Sequence, residues 1–211
     1  LLASHWIILV VASISVALLV SKLIKEVFEG QFGGIDHAVH SWVLAHQTHF
    51  GKNFFAGLTL LGSTVATLIL VPLVAFWLWR RKERLVAAVF VSAPATAVLL
   101  LLALRELMTR QRPPGALGIV ANPSFPGGHM IVATSLWVTL MYLLWRERLL
   151  PLMPALLVAV VWPLLIGVSR VYLDVHWTSD VIAGWLLGLS LALAAAAVYE
   201  RWRLTGGDRP R

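Results

Sequence analysis

Ser169-Arg170-Val171-Tyr172-Leu173-Asp174-Val175-His176-Trp177-Thr178-Ser179-Asp180 is a polar island between two long apolar runs. An arginine, a histidine and two carboxylates stand where a membrane helix would carry leucine. Ionisable groups are expensive at such a place and mark functional sites by default. His176 and Asp180 are four apart, so a helix beginning near His176 sets both on one face. The carboxylate then holds one ring nitrogen and leaves the other to react. Arg170 adds a planar positive fork suited to phosphate or carboxylate. Nucleophile, orienting group and anion clamp thus fall within one short segment.

The surroundings are those of a membrane protein. The 211 residues are 59% hydrophobic and 13% charged, with a mean hydropathy of +0.84. A soluble domain carries about 25% charged residues. The chain is expected to be one integral membrane domain over residues 1–211. Without cysteine, disulfide and thiolate sites are excluded. The net charge of +7 raises the question of nucleic acid. No basic stretch is interleaved with exposed aromatics, which argues against that partner. The basic residues mostly flank apolar runs, where their partner is the lipid bilayer.

Six apolar runs are predicted as spanning helices: Trp6–Ile24, Phe54–Trp79, Leu85–Leu104, Met130–Trp145, Leu149–Ser169 and Val181–Tyr199. Each is near the ~20 residues a span needs. The first lacks a basic leader and a cleavage site and is expected to be a retained helix. Pro72, Pro94 and Pro163 lie inside runs and predict kinks. Gly184 and Gly188 form a G-x-x-x-G step that predicts close helix packing. The link from Gly33 to Gly51 carries an apolar stripe of Ile35, Val39, Trp42 and Val43. It predicts an amphipathic helix on the membrane surface. Asp36, His37 and His40, with His46 and His49, are expected on a solvated polar face rather than around a metal. The fold class is therefore all-α: a six-transmembrane-helix bundle with an interfacial helix between the first two spans.

Arg80, Arg81, Lys82, Arg84, Arg146, Arg148, Arg201, Arg203, Arg209 and Arg211 fall on one side of this layout. That side, with both termini, is expected to be cytoplasmic. The other side holds Lys22, Lys25, Lys52, Arg105, Arg110, Arg112 and Arg170. Arginines that run against the positive-inside pattern need another reason, and a bound anion supplies one. Arg105 and Arg112 are seven apart, about two helical turns, so a continuous helix points both one way before Pro113 stops it. Pro126-Gly127-Gly128 turns directly into the fourth span. Backbone N–H groups and a positive helix end are thereby set beside His129. A phosphate there would accept from the Gly127 and Gly128 amides, with His129 near enough to give it a proton.

These residues resemble the type 2 phosphatidic acid phosphatase (PAP2) superfamily, whose motifs are K-x6-R-P, P-S-G-H and S-R-x5-H-x3-D. Here they read Arg105-x6-Arg112-Pro113, Pro126-Gly127-Gly128-His129 and Ser169-Arg170-x5-His176-x3-Asp180. The third matches fully. Arg105 stands where the family usually has lysine, keeping the charge. Gly127 stands where it usually has serine, so one hydroxyl donor is missing, a loss on the order of 3 kcal/mol at a transition-state anion. The resemblance implies that His176 forms a phosphohistidine, Asp180 orients it and His129 protonates the leaving oxygen. It implies that Arg105, Arg112 and Arg170 hold phosphate oxygens, with Ser169 orienting a neighbour or touching phosphate. No metal and no cofactor are expected, and Arg110, Glu106 and Asp174 receive no catalytic role. For a bacterial inner-membrane protein with its site facing the exterior, the implied substrates are undecaprenyl diphosphate, phosphatidylglycerol phosphate or phosphatidate. The outward orientation leans to the polyprenyl diphosphate. The alternatives are a lipid phosphotransferase with the same motifs and a non-catalytic phospholipid-binding or transport protein.

Overall fold

A computed structural model describes residues 5–60, 62–114, 116 and 123–205. These residues form α1 (His5–Phe28), α2 (Gly33–His46), α3 (His49–Leu60), α4 (Thr64–Arg80), α5 (Arg84–Leu107), α6 (Gly128–Arg146), α7 (Leu152–Tyr172) and α8 (Thr178–Leu204). No strand occurs among them. Six stretches are long and apolar enough to cross a bilayer, with His49–Arg80 counted as one. The protein is an all-α multi-pass membrane bundle, and α2 is the helix between its first two spans. Arg209 and Arg211 lie outside the described residues.

The second span departs from the uninterrupted run read in the sequence. It breaks at Gly62 and Ser63 into α3 and α4. Ser63 caps α4, its Oγ accepting from the Ala66 amide at 3.2 Å. A serine in extended backbone is a preferred start signal. Gly62 lies against α7, where a Cβ would come within 2.6 Å of Ile166 Cδ1. Apolar composition alone hid this joint, because both pieces face lipid.

The bundle is built on α8, which packs against α1, α2, α5, α6 and α7. Small residues let it do so. A Cβ on Gly184 would approach Met130 Cβ to 2.6 Å and the Gly127 carbonyl oxygen to 2.7 Å. One on Gly188 would approach Thr134 Cβ to 2.6 Å. The G-x-x-x-G step therefore brings the α6 and α8 backbones into contact, as its spacing predicts. On the opposite flank, Ser13 Oγ donates to the Ser190 carbonyl at 2.8 Å and Ser190 Oγ to the Ser13 carbonyl at 3.0 Å. In a lipid environment, where helix burial alone drives little, such reciprocal bonds fix α1 to α8. The main apolar core fills the other end of the bundle around Phe90, Leu136, Leu143 and Tyr199.

Gly184→Val should lower the thermal stability of the detergent-purified protein, by about 1–3 kcal/mol for an overpacked contact. Gly57→Ala should be neutral, because nothing lies within 4 Å of a Cβ there. Circular dichroism melts of the two variants check this.

Candidate active site

The site begins with the way α7 stops. Asp174 adopts the left-handed region at φ 56. The Val175 amide donates back to the Arg170 carbonyl at 3.1 Å and the Asp174 amide to that of Val171 at 3.0 Å. This is a Schellman ending, which usually takes glycine. Aspartate suits it here because Asp174 Oδ1 also pairs with His40 Nδ1 of α2 at 2.7 Å. The chain is thereby turned back at once, and His176 is buried instead of facing solvent.

Asp180 starts α8 and does two things. Its Oδ2 accepts from the Trp177 amide at 2.9 Å, capping the helix. The same oxygen lies 3.5 Å from His176 Nδ1, longer than an ordinary hydrogen bond. Arg112 Nη1 lies 3.3 Å from His176 Nε2 and donates to the Val175 carbonyl at 2.6 Å. A guanidinium only donates, so Nε2 carries the lone pair and Nδ1 the proton that faces Asp180. Burial holds the His176 imidazole below the usual histidine range. Arg170 and Arg112 push the same way, against the opposing pull of Asp180. The balance favours the neutral form of the ring.

The expected helix through Arg112 does not form. α5 ends at Leu107, and residues 108–113 run as non-helical chain. Tertiary partners replace the helical ones. The Ser124 amide donates to the Arg110 carbonyl at 2.8 Å, and Ser124 Oγ and Trp177 Nε1 both donate to the Gln111 carbonyl. Phe125, with no exposed surface, pins this loop among Leu23, Val27 and Ala183. Residues two apart on an extended chain share a side. Arg110 and Arg112 accordingly both reach the segment that carries His176.

Arg105, in the last turn of α5, lies against the start of α6, its Nη2 3.2 Å from the place of a Cβ on Gly128. His129 is the second residue of α6 and lies within electrostatic range of Arg105, Arg112, Arg170 and His176. Both imidazoles and the three predicted arginines are thus gathered at one end of the bundle. The Nε groups of Arg105 and Arg170 are buried there without a hydrogen-bond partner among the described residues.

Two predicted donors are spent elsewhere. The Gly127 amide donates to the Asp180 carbonyl at 3.0 Å, which ties α6 to α8. Ser169 is fully buried and donates to the Ile166 carbonyl of its own helix at 2.6 Å. The polar face of α2 is solvated only in part: His37 and His46 are exposed as expected, but Asp36 is not. Asp36 is 2% exposed and accepts from Arg110, from the Ser179 amide and from Ser179 Oγ. His37 packs edge-on against Trp177 at 5.1 Å. Arg110, given no role from the sequence, bonds both Asp36 and Asp180. Its signal was its position among the arginines that run against the charge pattern. That of Asp36 was its being the one carboxylate in Gly33–His46.

Residues 95–204, a little over half the chain, match the family model of the PAP2 superfamily. The chain belongs to that superfamily. It is 27% identical over 172 residues to phosphatidylglycerophosphatase B of Bacillus subtilis, covering 79% of this chain and 84% of that protein. The crystal structure of a transmembrane PAP2-type phosphatidylglycerolphosphate phosphatase from Bacillus subtilis superposes with a TM-score of 0.82 at 26% identity. That match covers 90% of this chain and 96% of the other. LpxE of Aquifex aeolicus shares the fold, at a TM-score of 0.60 and 21% identity over 75% of this chain and 93% of that one. A 65-residue segment is 40% identical to an undecaprenyl-diphosphatase of Sulfolobus acidocaldarius, covering 31% of this chain and 28% of that protein.

Gly127→Ser adds the family's hydroxyl but sets its Cβ 2.9 Å from the Asp180 carbonyl oxygen, a backbone atom that cannot swing away. The variant should melt lower than the parent, by about 1–3 kcal/mol. An unchanged melting temperature would show that the α6–α8 contact relaxes freely.

Proposed function

We propose that the protein is a lipid phosphatase that removes a phosphate from a membrane lipid through a phosphohistidine on His176. The observation that carries this reading is the convergence of Arg105, Arg112 and Arg170, from three segments, on two imidazoles at one end of the bundle. Like charges repel in a buried place, and a bound phosphate is what makes their gathering favourable. Spontaneous hydrolysis of phosphate monoesters is extremely slow, so charge neutralisation and a good nucleophile are both required.

His176 Nε2 attacks phosphorus as the bond to the lipid oxygen breaks. Asp180 holds the Nδ1 proton and stabilises the imidazole as it gains positive charge. His129 gives its proton to the departing lipid oxygen. Water then attacks the phosphohistidine, losing a proton to His129, and inorganic phosphate leaves. Arg105, Arg112 and Arg170 hold the phosphoryl oxygens throughout, with the Gly128 amide at the start of α6. Arg112 must release Nε2 as phosphate enters, exchanging a ring nitrogen for an anionic oxygen. The chemistry needs no metal, because the guanidinium forks supply the positive charge.

The site end of the bundle faces the exterior on this reading. The opposite end carries Arg80, Arg81, Arg84, Arg146, Arg201 and Arg203, the cytoplasmic pattern. Lipid enters from the side, its tail remaining among the helices. Phosphatidylglycerol phosphate is the first substrate, because the relative of that activity covers most of the chain. Undecaprenyl diphosphate is the second, favoured by the archaeal segment match.

His176→Ala should abolish phosphate release from both lipids in detergent micelles, and vanadate should inhibit the parent. Full release by His176→Ala would exclude the nucleophile. A neutral resting His176 also sets a pH dependence. Its lowered pKa keeps it unprotonated as pH falls through the ordinary histidine value of about 6.5. The acid limb of kcat/KM should therefore lie below pH ~6.5. A limb above that value would mean that the Asp180 pull outweighs burial.

A further inference from the structure

We infer that Arg110 is a positioning residue, and that with Asp36 of α2 it forms the outer half of a charge chain holding Asp180 against His176. This rests on the reading of His176 as nucleophile. The chain can be followed atom by atom. Arg110 Nη1 donates to Asp180 Oδ1 at 2.5 Å, and Nη2 to Asp36 Oδ2 at 2.7 Å. Ser179 ties the two carboxylates together. Its Oγ accepts from Arg110 at 2.7 Å and donates to Asp36 Oδ2 at 2.6 Å, while its amide donates to Asp36 Oδ1 at 2.9 Å. The guanidinium lies 5.7 Å over the Trp177 ring, which closes one side of it. Asp36, Ser179 and Asp180 are all buried.

Burial makes this arrangement more than a brace. Asp180 has no exposed surface, and its contact with His176 spans 3.5 Å. A buried carboxylate needs a fixed counter-charge. Arg110 supplies it, and the fork geometry also sets which way the carboxylate faces. Asp36 in turn draws part of the Arg110 charge away from Asp180. The strength with which Asp180 polarises the imidazole is thus set by two residues that touch neither phosphate nor histidine. One of them lies on α2, outside the matched family region.

The two ends of the chain act on His176 with opposite sign, which a merely structural role does not. The charged or titratable groups that face His176 are Asp180, Arg170, Arg112 and His129. Arg110→Gln leaves the Asp180 field uncompensated and favours protonated His176. Asp36→Asn leaves Arg110 wholly to Asp180 and does the reverse.

Phosphate release from phosphatidylglycerol phosphate in detergent, followed against pH for the full chain, Arg110→Gln, Arg110→Lys and Asp36→Asn, tests this. Arg110→Gln should lose about a hundredfold in kcat, with KM moving far less. Arg110→Lys should recover only part, since a point charge does not bridge two carboxylates. The acid limb of kcat/KM should move to higher pH in Arg110→Gln and to lower pH in Asp36→Asn. Shifts of the same sign, or wild-type kcat and limb in Arg110→Gln, overturn the inference. If Arg110→Gln is not recovered folded, an unmoved limb in Asp36→Asn overturns it alone. His176→Ala run alongside separates the two claims. An inactive His176→Ala beside an unaffected Arg110→Gln sinks only the charge chain, whereas an active His176→Ala sinks the nucleophile itself.

Discussion

A carboxylate with no exposed surface, Asp180, stands at the first turn of the central helix. Its two oxygens and its backbone carbonyl are all engaged by other parts of that end of the bundle. The Trp177 amide satisfies one oxygen and thereby starts α8. Arg110 satisfies the other, coming from a loop seventy residues away in sequence. The backbone carbonyl of the same residue receives the Gly127 amide. One residue therefore joins α6, α8 and the loop after α5, and helix packing, capping and side-chain pairing all meet there. Apolar packing governs the opposite end, where the bundle core lies.

The positive charges follow a different logic. Arg112 feels Asp180 but also its neighbours Arg105 and Arg170, while Arg110 divides its charge between two carboxylates. On the proposed chemistry, such crowding disfavours the empty site and favours the anion-bound one. The rigid Schellman ending of α7 and the pinned Phe125 loop withstand that repulsion. If the site grips phosphate through the proposed bond changes, fixed donors serve it better than donors that gather on demand.

The spans and the three motifs were legible because their signals are local. Apolar runs of helix length need no partner to be read, and the His176 and Asp180 spacing is four residues on one helix start. The joint at Gly62 and Ser63 was not legible, because lipid accepts apolar residues on either side of a break. The non-helical path of residues 108–113 depends on Ser124 and Trp177, which no window around Arg112 contains. Asp36 was misread for the same reason: an aspartate on an amphipathic helix looks solvated until a distant arginine is seen to cover it. Positions fixed by long-range polar partners escaped the sequence, while positions fixed by periodicity did not.

The two departures from the family motifs belong to one physical trade. Glycine at 127 lets the α6 turn sit on the Asp180 carbonyl, and Gly184 beneath it leaves room for the Gly127 carbonyl. The same contact withdraws the Gly127 amide from any ligand, and glycine brings no hydroxyl. Two donors are thus missing from the turn. Arginine at 105 works in the opposite direction. Lysine would present a compact ammonium with three donors, whereas arginine presents five in a plane. That plane lies against Gly128, whose missing side chain leaves it space. On the proposed chemistry, donors lost from the backbone turn are restored by a side chain reaching the same spot from α5. The result is a site whose grip on phosphate rests more on guanidinium groups and less on the helix turn.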